Sequence, residues 1–297
     1  MRRGARRGSI LRHPTSREFP LARDLLPLVR DALADRYAVE RELGRGGAAR
    51  VFLARNAEGT PVALKVLHPE LQVTVQADRF LREVRLVSQV DHPRIGRVLD
   101  AGERGWLVYY VMPYVEGPTL RHALDRVRRL DEPDALRLAD ELLEALGTAH
   151  RHGIVHRDVK PENIILGPEG AVLVDFGIAR AVEAAGSDRV TRSGVAVGTS
   201  SYMSPEQIGA TQKLDARADL YSVGCVLFEA IAGRPPFVHP HEPVVLTLHL
   251  TQPAPRLLDL RPETGAGLAR AVQRALEKKP EDRWPDAEAM RAAMREG

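Results

Sequence analysis

The chain has 297 residues, 44% apolar and 28% charged, ordinary proportions for a soluble globular protein with ample material for a core. Its net charge of +3 is concentrated at the start: residues 1–36 hold nine arginines against four acids, a surplus of five that leaves the remainder at −2. That distribution argues against a nucleic-acid-binding fold; the single cysteine, Cys225, excludes an internal disulfide, and no apolar run suits a membrane span or a secretory leader.

Residues 1–26 mix Arg, Gly, Ser and Pro with little periodicity and read as a disordered basic tail. From Pro27 the pattern turns helical, with Leu28, Ala32 and Leu33 at helical spacing, so 27–36 is expected to form a short helix leading into the domain. Tyr37 to Leu43 reads as a strand running into Gly44-Arg45-Gly46-Gly47-Ala48-Ala49-Arg50-Val51. Glycines in such a segment let backbone N–H groups approach phosphate oxygens without a side chain in the way. A dinucleotide-binding turn would pass at once into a helix, whereas Val51-Phe52-Leu53-Ala54 reads as another strand; no Gly-Lys-Ser/Thr ends the segment, which excludes a Walker A loop.

Lys65 lies inside the apolar strand Pro61-Val62-Ala63-Leu64-Lys65-Val66, an expensive place for an ammonium group without a partner. Residues 76–89 are expected to form an amphipathic helix with Phe80, Val84 and Val87 inward and Glu83 on the same face, available to Lys65. Val108 to Met112 reads as a strand, followed by the connector Pro113-Tyr114-Val115-Glu116-Gly117. Leu120 onward, Pro133–Arg151 and Ala218–Gly233 read as helices of a larger second lobe.

The densest chemistry lies in His156-Arg157-Asp158-Val159-Lys160-Pro161-Glu162-Asn163 and, shortly after, Asp175-Phe176-Gly177. Two carboxylates, a lysine and an amide gather there. Asp158 could accept a proton from an alcohol, Lys160 could face a migrating phosphoryl group, and Asn163 with Asp175 could hold a divalent metal. His239-Pro240-His241-Glu242 matches no standard metal spacing and reads as a proline-bounded loop; the remaining histidines, His150 and His152 included, show no ligand pattern.

In this order, the glycine-rich segment, the Val-Ala-Leu-Lys strand, H-R-D-x-K-x-x-N, D-F-G, Ser204-Pro205-Glu206 and Asp219-Leu220-Tyr221-Ser222-Val223-Gly224 resemble the motifs of bacterial Hanks-type (eukaryotic-like) serine/threonine protein kinases, over residues 37–296. Ala49 stands where the family pattern has a third glycine, and Ser204 where it has alanine. The resemblance implies an α+β, bilobal protein kinase fold: a small β-rich N-lobe with one long helix (37–113) and a larger, mainly helical C-lobe (114–297). It implies ATP and Mg2+ as cofactors, with Leu43, Gly44, Arg45, Gly46, Gly47, Val51, Ala63, Lys65, Met112, Pro113, Val115 and Ile165 around the nucleotide. Val51, Ala63 and Ile165 would sandwich the adenine, Met112 would be the gatekeeper, and the Pro113 carbonyl and Val115 N–H would meet the adenine edge.

By the same resemblance Lys65, oriented by Glu83, grips the α- and β-phosphates, Asn163 and Asp175 bind metal, and Asp158 and Lys160 act on the hydroxyl and the migrating group. Lys160 together with Thr199 is the family mark of Ser/Thr specificity, so Thr199 is assigned to substrate positioning. Asp219 would brace the catalytic loop, Glu206 would pair with Arg283, and Arg157 would meet a phosphate on Thr191 or Ser193 after autophosphorylation in trans. The expected partners are protein substrates with Ser or Thr and a second copy of the chain, with a transient homodimer left open; no specific nucleic acid and no transmembrane segment are expected, and the expected location is the cytoplasm. A catalytically weak pseudokinase-like scaffold is the alternative, opposed by the presence of Lys65, Glu83, Asp158, Asn163 and Asp175; a small-molecule phosphotransferase is opposed by Ser204-Pro205-Glu206 and the long activation segment.

Overall fold

The computed structural model describes residues 24–46, 49–67, 81, 84, 90–176, 199–209 and 214–295. The expected tail up to residue 23, together with Gly47, Glu83, Gly177, Thr191 and Ser193, lies outside the described residues, and of Thr199 only the backbone is described.

Alternating apolar side chains build a five-stranded antiparallel sheet from β1 (Ala38–Arg45), β2 (Ala49–Arg55), β3 (Pro61–Leu67), β4 (Asp100–Arg104) and β5 (Leu107–Pro113), in the order β1-β2-β3-β5-β4. Successive residues of a strand point to opposite faces, and here both faces are apolar. Phe52, Ala54, Val62, Leu64, Val66, Tyr109 and Val111 form one cluster, closed by Val29 and Leu33 from helix α1 (Leu26–Ala32) and the turn after it. Ala49, Ala63, Leu67, Val108, Tyr110 and Met112 form the other, with Val84 buried among them and Leu81 packed at its edge. Residues 81 and 84 are the described part of the segment read as a helix over 76–89, and both are helical.

The second part is mainly helical: α2 (Leu120–Val127), α3 (Glu132–Arg151), α4 (Pro205–Ile208), α5 (Ala216–Ala232), α6 (Glu242–Thr251), α7 (Leu257–Leu260), α8 (Ala266–Ala275) and α9 (Ala287–Met294). Helix α5 is buried on every side from Ala218 to Ile231, so it is the axis of this part rather than a surface helix. Asp215 caps its start by accepting the Arg217 N–H, and Gly233 ends it at φ +79°, the left-handed conformation glycine adopts without a Cβ penalty. Gly224 on α5 faces Ala275 and Leu276; an added Cβ would stand 3.0 Å from that of Ala275, so the missing side chain sets how closely the chain segments pack.

A two-stranded hairpin, β6 (Ile164–Gly167) and β7 (Gly170–Leu173), lies at the inner edge of the helical part. Its Ile165 and Val172, with Val174 beyond it, join the inner cluster of the five-stranded sheet, so one apolar cluster bridges the two parts. No helix among the described residues is long and apolar enough to cross a membrane.

Candidate active site

Asp219 in the first turn of α5 organises the loop from His156 to Asn163. Its Oδ2 accepts the His156 N–H and a bond from His150 Nε2, each at 2.8 Å, and its Oδ1 accepts the Arg157 N–H at 2.8 Å. Burial alone would raise its pKa, but the bond from His150 and the nearby imidazoles hold the carboxyl below the usual carboxylate range. Arg157 sits at φ +67°, a left-handed conformation that costs a non-glycine residue energy and persists where its surroundings over-determine it. The Asp219 carboxylate and Gln207 Nε2, which donates to the Arg157 carbonyl at 2.7 Å, are those surroundings.

His156 is fully buried and ties this loop to the next. Its Nδ1 accepts the Asp158 N–H at 3.2 Å, so its Nε2 carries the proton donated to the Val174 carbonyl at 2.9 Å. Its ring meets Phe176 edge-on at 4.4 Å. Burial pushes its pKa down, consistent with a neutral ring locked in one tautomer.

Around Asp158 the contacts are short and charged. Lys160 Nζ lies 2.8 Å from Asp158 Oδ2, and Asn163 Nδ2 donates to the same oxygen at 2.9 Å and to the Asp158 carbonyl at 2.8 Å. Asn163 stands in a 3-10 turn, Pro161–Asn163, and its carbonyl accepts the Val174 N–H at 2.9 Å. The two acid-bearing segments are therefore fixed to each other one residue before Asp175.

Asp175 bridges to the sheet. Lys65 of β3 reaches its Oδ2 at 2.5 Å, and the Tyr110 hydroxyl of β5 donates to its Oδ1 at 2.8 Å. Burial works against the Asp175 charge, yet the Lys65 ammonium and the Tyr110 hydroxyl outweigh it and hold the carboxyl below its ordinary value. This is the ion partner the structure gives Lys65; Glu83 lies outside the described residues.

Above Lys65, β1 and β2 are joined by the glycine-rich turn, where the Gly46 N–H donates to the Ala49 carbonyl at 2.9 Å. A Cβ on Gly44 would meet nothing within 4 Å, and one on Gly46 would come no closer than 3.6 Å to the Ala49 carbonyl oxygen. Among the described residues, a side chain would therefore find room at either position. Leu43 is half-buried in β1, and Arg45 is drawn to Glu42 at 2.5 Å.

Val51, Ala63, Met112 and Ile165 belong to the apolar cluster that bridges sheet and hairpin. Pro113 ends β5 opposite Val62, and the half-buried Val115 follows in the connector. Gly117 is obligatory there: at φ +147°, an added Cβ would overlap the Leu166 carbonyl. The apolar cluster of Val51, Ala63, Met112 and Ile165, the Lys65–Asp175 pair and the Asp158–Lys160–Asn163 contacts thus lie where sheet and hairpin meet.

A family model described as a protein kinase domain matches residues 37–293. The chain belongs to the protein kinase family. It is 41% identical over 277 residues to Serine/threonine-protein kinase PknB of Mycolicibacterium smegmatis, covering 88% of this chain and 43% of that protein. It is also 41% identical over 275 residues to Serine/threonine-protein kinase pkn2 of Myxococcus xanthus, covering 88% of this chain and 33% of the relative. A probable serine/threonine-protein kinase of Streptomyces coelicolor matches at 41% over 269 residues, 87% of this chain and 39% of its own length. The chain thus spans less than half the length of these curated relatives. Membership implies ATP as substrate, use of a divalent metal and protein substrates.

Within the kinase fold, Glu206 of α4 is tied to Arg283, which lies between α8 and α9. Its two oxygens accept from Arg283 Nη1 and Nη2 at 2.7 and 2.8 Å, and Arg283 also donates to the carbonyls of Arg217, Glu277 and Lys278. Ser204 opens α4 through a capping box with Gln207, the residue that also reaches Arg157. Thr199 begins a 3-10 turn, Thr199–Tyr202, fixed to α5 where Ser222 Oγ donates to the Tyr202 carbonyl at 2.7 Å.

Three residues of this kinase site were not singled out by sequence. His150 shows no ligand pattern in the sequence yet supports Asp219, and the signal for it is its place in the last turn of the helix before the 156–163 loop. Gln207 follows a recognised motif by one residue. Tyr110 carried no signal: it reads as one of several apolar-strand residues, and its partner is 65 positions away.

Proposed function

We propose that this chain is an ATP-dependent protein-serine/threonine kinase that transfers the γ-phosphoryl group to Ser or Thr hydroxyls. The observation that carries this reading is the unbroken run of contacts Lys65–Asp175 and Asn163–Asp158–Lys160, joined through the Asn163–Val174 backbone bond. Phosphoryl transfer needs positioning and charge neutralisation more than covalent chemistry, and these residues provide both.

Val51, Ala63, Met112 and Ile165 hold the adenine, the 113–115 connector meets its edge, and Leu43, Gly44, Arg45, Gly46 and Gly47 lie over the phosphates. Lys65 moves its ammonium from Asp175 to the α- and β-phosphates, supported by Glu83. The cation donors fit a hard ion: Asp175 is a carboxylate kept charged, and Asn163, with its N–H group committed to Asp158, offers an amide oxygen. These two would hold magnesium, which would supply positive charge against the phosphate oxygens. Asp158 orients the substrate hydroxyl, whose oxygen forms the new bond to the γ-phosphorus as the bond to the β,γ-bridging oxygen breaks. The hydroxyl proton passes to the Asp158 carboxylate, ADP leaves with the electron pair, and Lys160 offsets charge on the migrating group.

Regulation follows from Arg157, a cation next to the catalytic aspartate, which we assign to a phosphate placed on Thr191 or Ser193 by a second copy in a transient encounter. Thr199 is assigned to substrate positioning. The single cysteine and the use of ATP favour the cytoplasm.

The deciding experiment is phosphate incorporation from Mg-ATP into the chain and into a generic protein substrate, wild type against Asp158→Asn, with sites mapped by mass spectrometry. Loss of a positioned proton acceptor is expected to lower transfer by about 10²–10⁴-fold while nucleotide binding persists. Equal incorporation by both proteins would refute the assignment of Asp158, and no incorporation by the wild type would favour a scaffold.

A further inference from the structure

Tyr110 is buried in β5, the strand between β3 and β4, opposite Lys65 on a sheet face that also carries Ala63, Leu67, Val108 and Met112. An apolar residue would serve that position; a hydroxyl in such surroundings is costly unless it makes a hydrogen bond. The hydroxyl donates to Asp175 Oδ1 at 2.8 Å. The other carboxylate oxygen, Oδ2, is held by Lys65, whose ammonium also stands 5.9 Å from the centre of the Tyr110 ring.

The two anchors differ in permanence. Lys65 is on a flexible stem and, on the reading above, leaves Asp175 when phosphates arrive. Tyr110 is on a rigid ring locked into a five-stranded sheet. Asp175 itself lies outside regular structure at φ +67°, and the contacts that aim its carboxylate come from the sheet. We infer that Tyr110 is a positioning residue for the metal-binding aspartate: its hydroxyl keeps hold of Asp175 Oδ1 so that Oδ2, released by Lys65, faces the cation. This inference rests on the assignment of Asp175 as a metal ligand.

The test uses the full chain and Mn2+ as probe, with bound metal read by electron paramagnetic resonance at saturating ADP. Removing a partner that orients a ligand typically weakens metal binding by about 10–100-fold, so Tyr110→Phe is expected to raise the half-saturating Mn2+ concentration by about tenfold. Metal-free ADP binding and the unfolding midpoint should stay near wild type, which a merely structural role would not predict. Tyr110→Ile, also lacking the hydroxyl, should shift metal binding equally; a shift in Tyr110→Ile alone would trace the effect to packing and overturn the inference. Wild-type Mn2+ affinity in Tyr110→Phe, with Asp175→Asn clearly weakened, would overturn it while leaving the metal site standing. Wild-type affinity in Asp175→Asn would instead remove the metal-site assignment, and the role of Tyr110 with it.

Discussion

Arg283 and Glu206 meet through two parallel hydrogen bonds of 2.7 and 2.8 Å, across 77 residues of sequence, with the arginine side chain shut off from solvent. Paired so, the guanidinium is tolerated; unpaired, it is a buried charge. Glu206→Ala is expected to cost about 3–5 kcal/mol in urea unfolding. Glu206→Gln, retaining a carbonyl acceptor, should fall between. A loss below about 1 kcal/mol would mean the pair behaves like a surface salt bridge.

Asp219→Asn tests the catalytic-loop anchor separately. An amide has one acceptor oxygen where the carboxylate uses two, so its NH2 group must face an N–H of His156 or Arg157. Each unsatisfied buried donor costs about 1–3 kcal/mol. Reduced stability with a larger loss in kcat than in nucleotide affinity is the expected result; unchanged kcat in the folded variant would deny Asp219 any part in aligning Asp158.

His249 predicts an acid dependence. It is buried on α6 with Nδ1 against the Tyr221 hydroxyl at 2.8 Å, and its pKa is lowered to about 4, by burial first and then by the Lys278 charge. The unfolded chain takes up this proton near pH 6.5 and the folded protein does not until about pH 4. The resulting stability is therefore complete above pH 6.5 and is lost as pH falls towards 4. The full effect is roughly 3 kcal/mol. Urea midpoints measured over this range should slope less in His249→Leu than in the wild type; parallel slopes would count against it.

Helix α1 precedes residue 37, where the match to the kinase family begins, yet Val29 and Leu33 are fully buried beneath it. Leu33→Ala is expected to cost about 2–5 kcal/mol, and thermal unfolding of a chain beginning at Tyr37 should occur at a lower temperature than that of one beginning at Asp24. Equal midpoints would show that the sheet does not depend on this cover.

Residues whose chemistry is tied to a local pattern were legible in the sequence. Lys65 stood out as a charge in an apolar strand, and Asp158, Lys160 and Asn163 as polar groups at fixed short spacing; the fold joins all four to Asp175 through side-chain contacts and the Asn163–Val174 backbone bond. Helix limits were legible to within a few residues: Pro133–Arg151 is Glu132–Arg151 in the structure, and Ala218–Gly233 is Ala216–Ala232. Contacts made between distant segments were not. Nothing around Tyr110 distinguishes its hydroxyl from that of Tyr109, which accepts a bond from Arg36 Nη1 on the opposite face of the same strand. The alternation of a strand assigns the two tyrosines to different faces without saying which face holds a carboxylate. His150 carried only a weak signal, its place in the last turn of the helix before the 156–163 loop, because a histidine there commonly answers the helix dipole.

The roofing of the sheet by α1 has a mechanical consequence. With apolar clusters on both faces, the five strands form the middle layer of a sandwich, and bending that layer would open two interiors at once. Such a layer moves as a stiff plate. Any change in the spacing of sheet and hairpin must then be taken up by the segments that join them: Ile95 to Asp100, which starts bridged to Leu173, and Pro113 to Pro118, where Gly117 is pressed to Leu166.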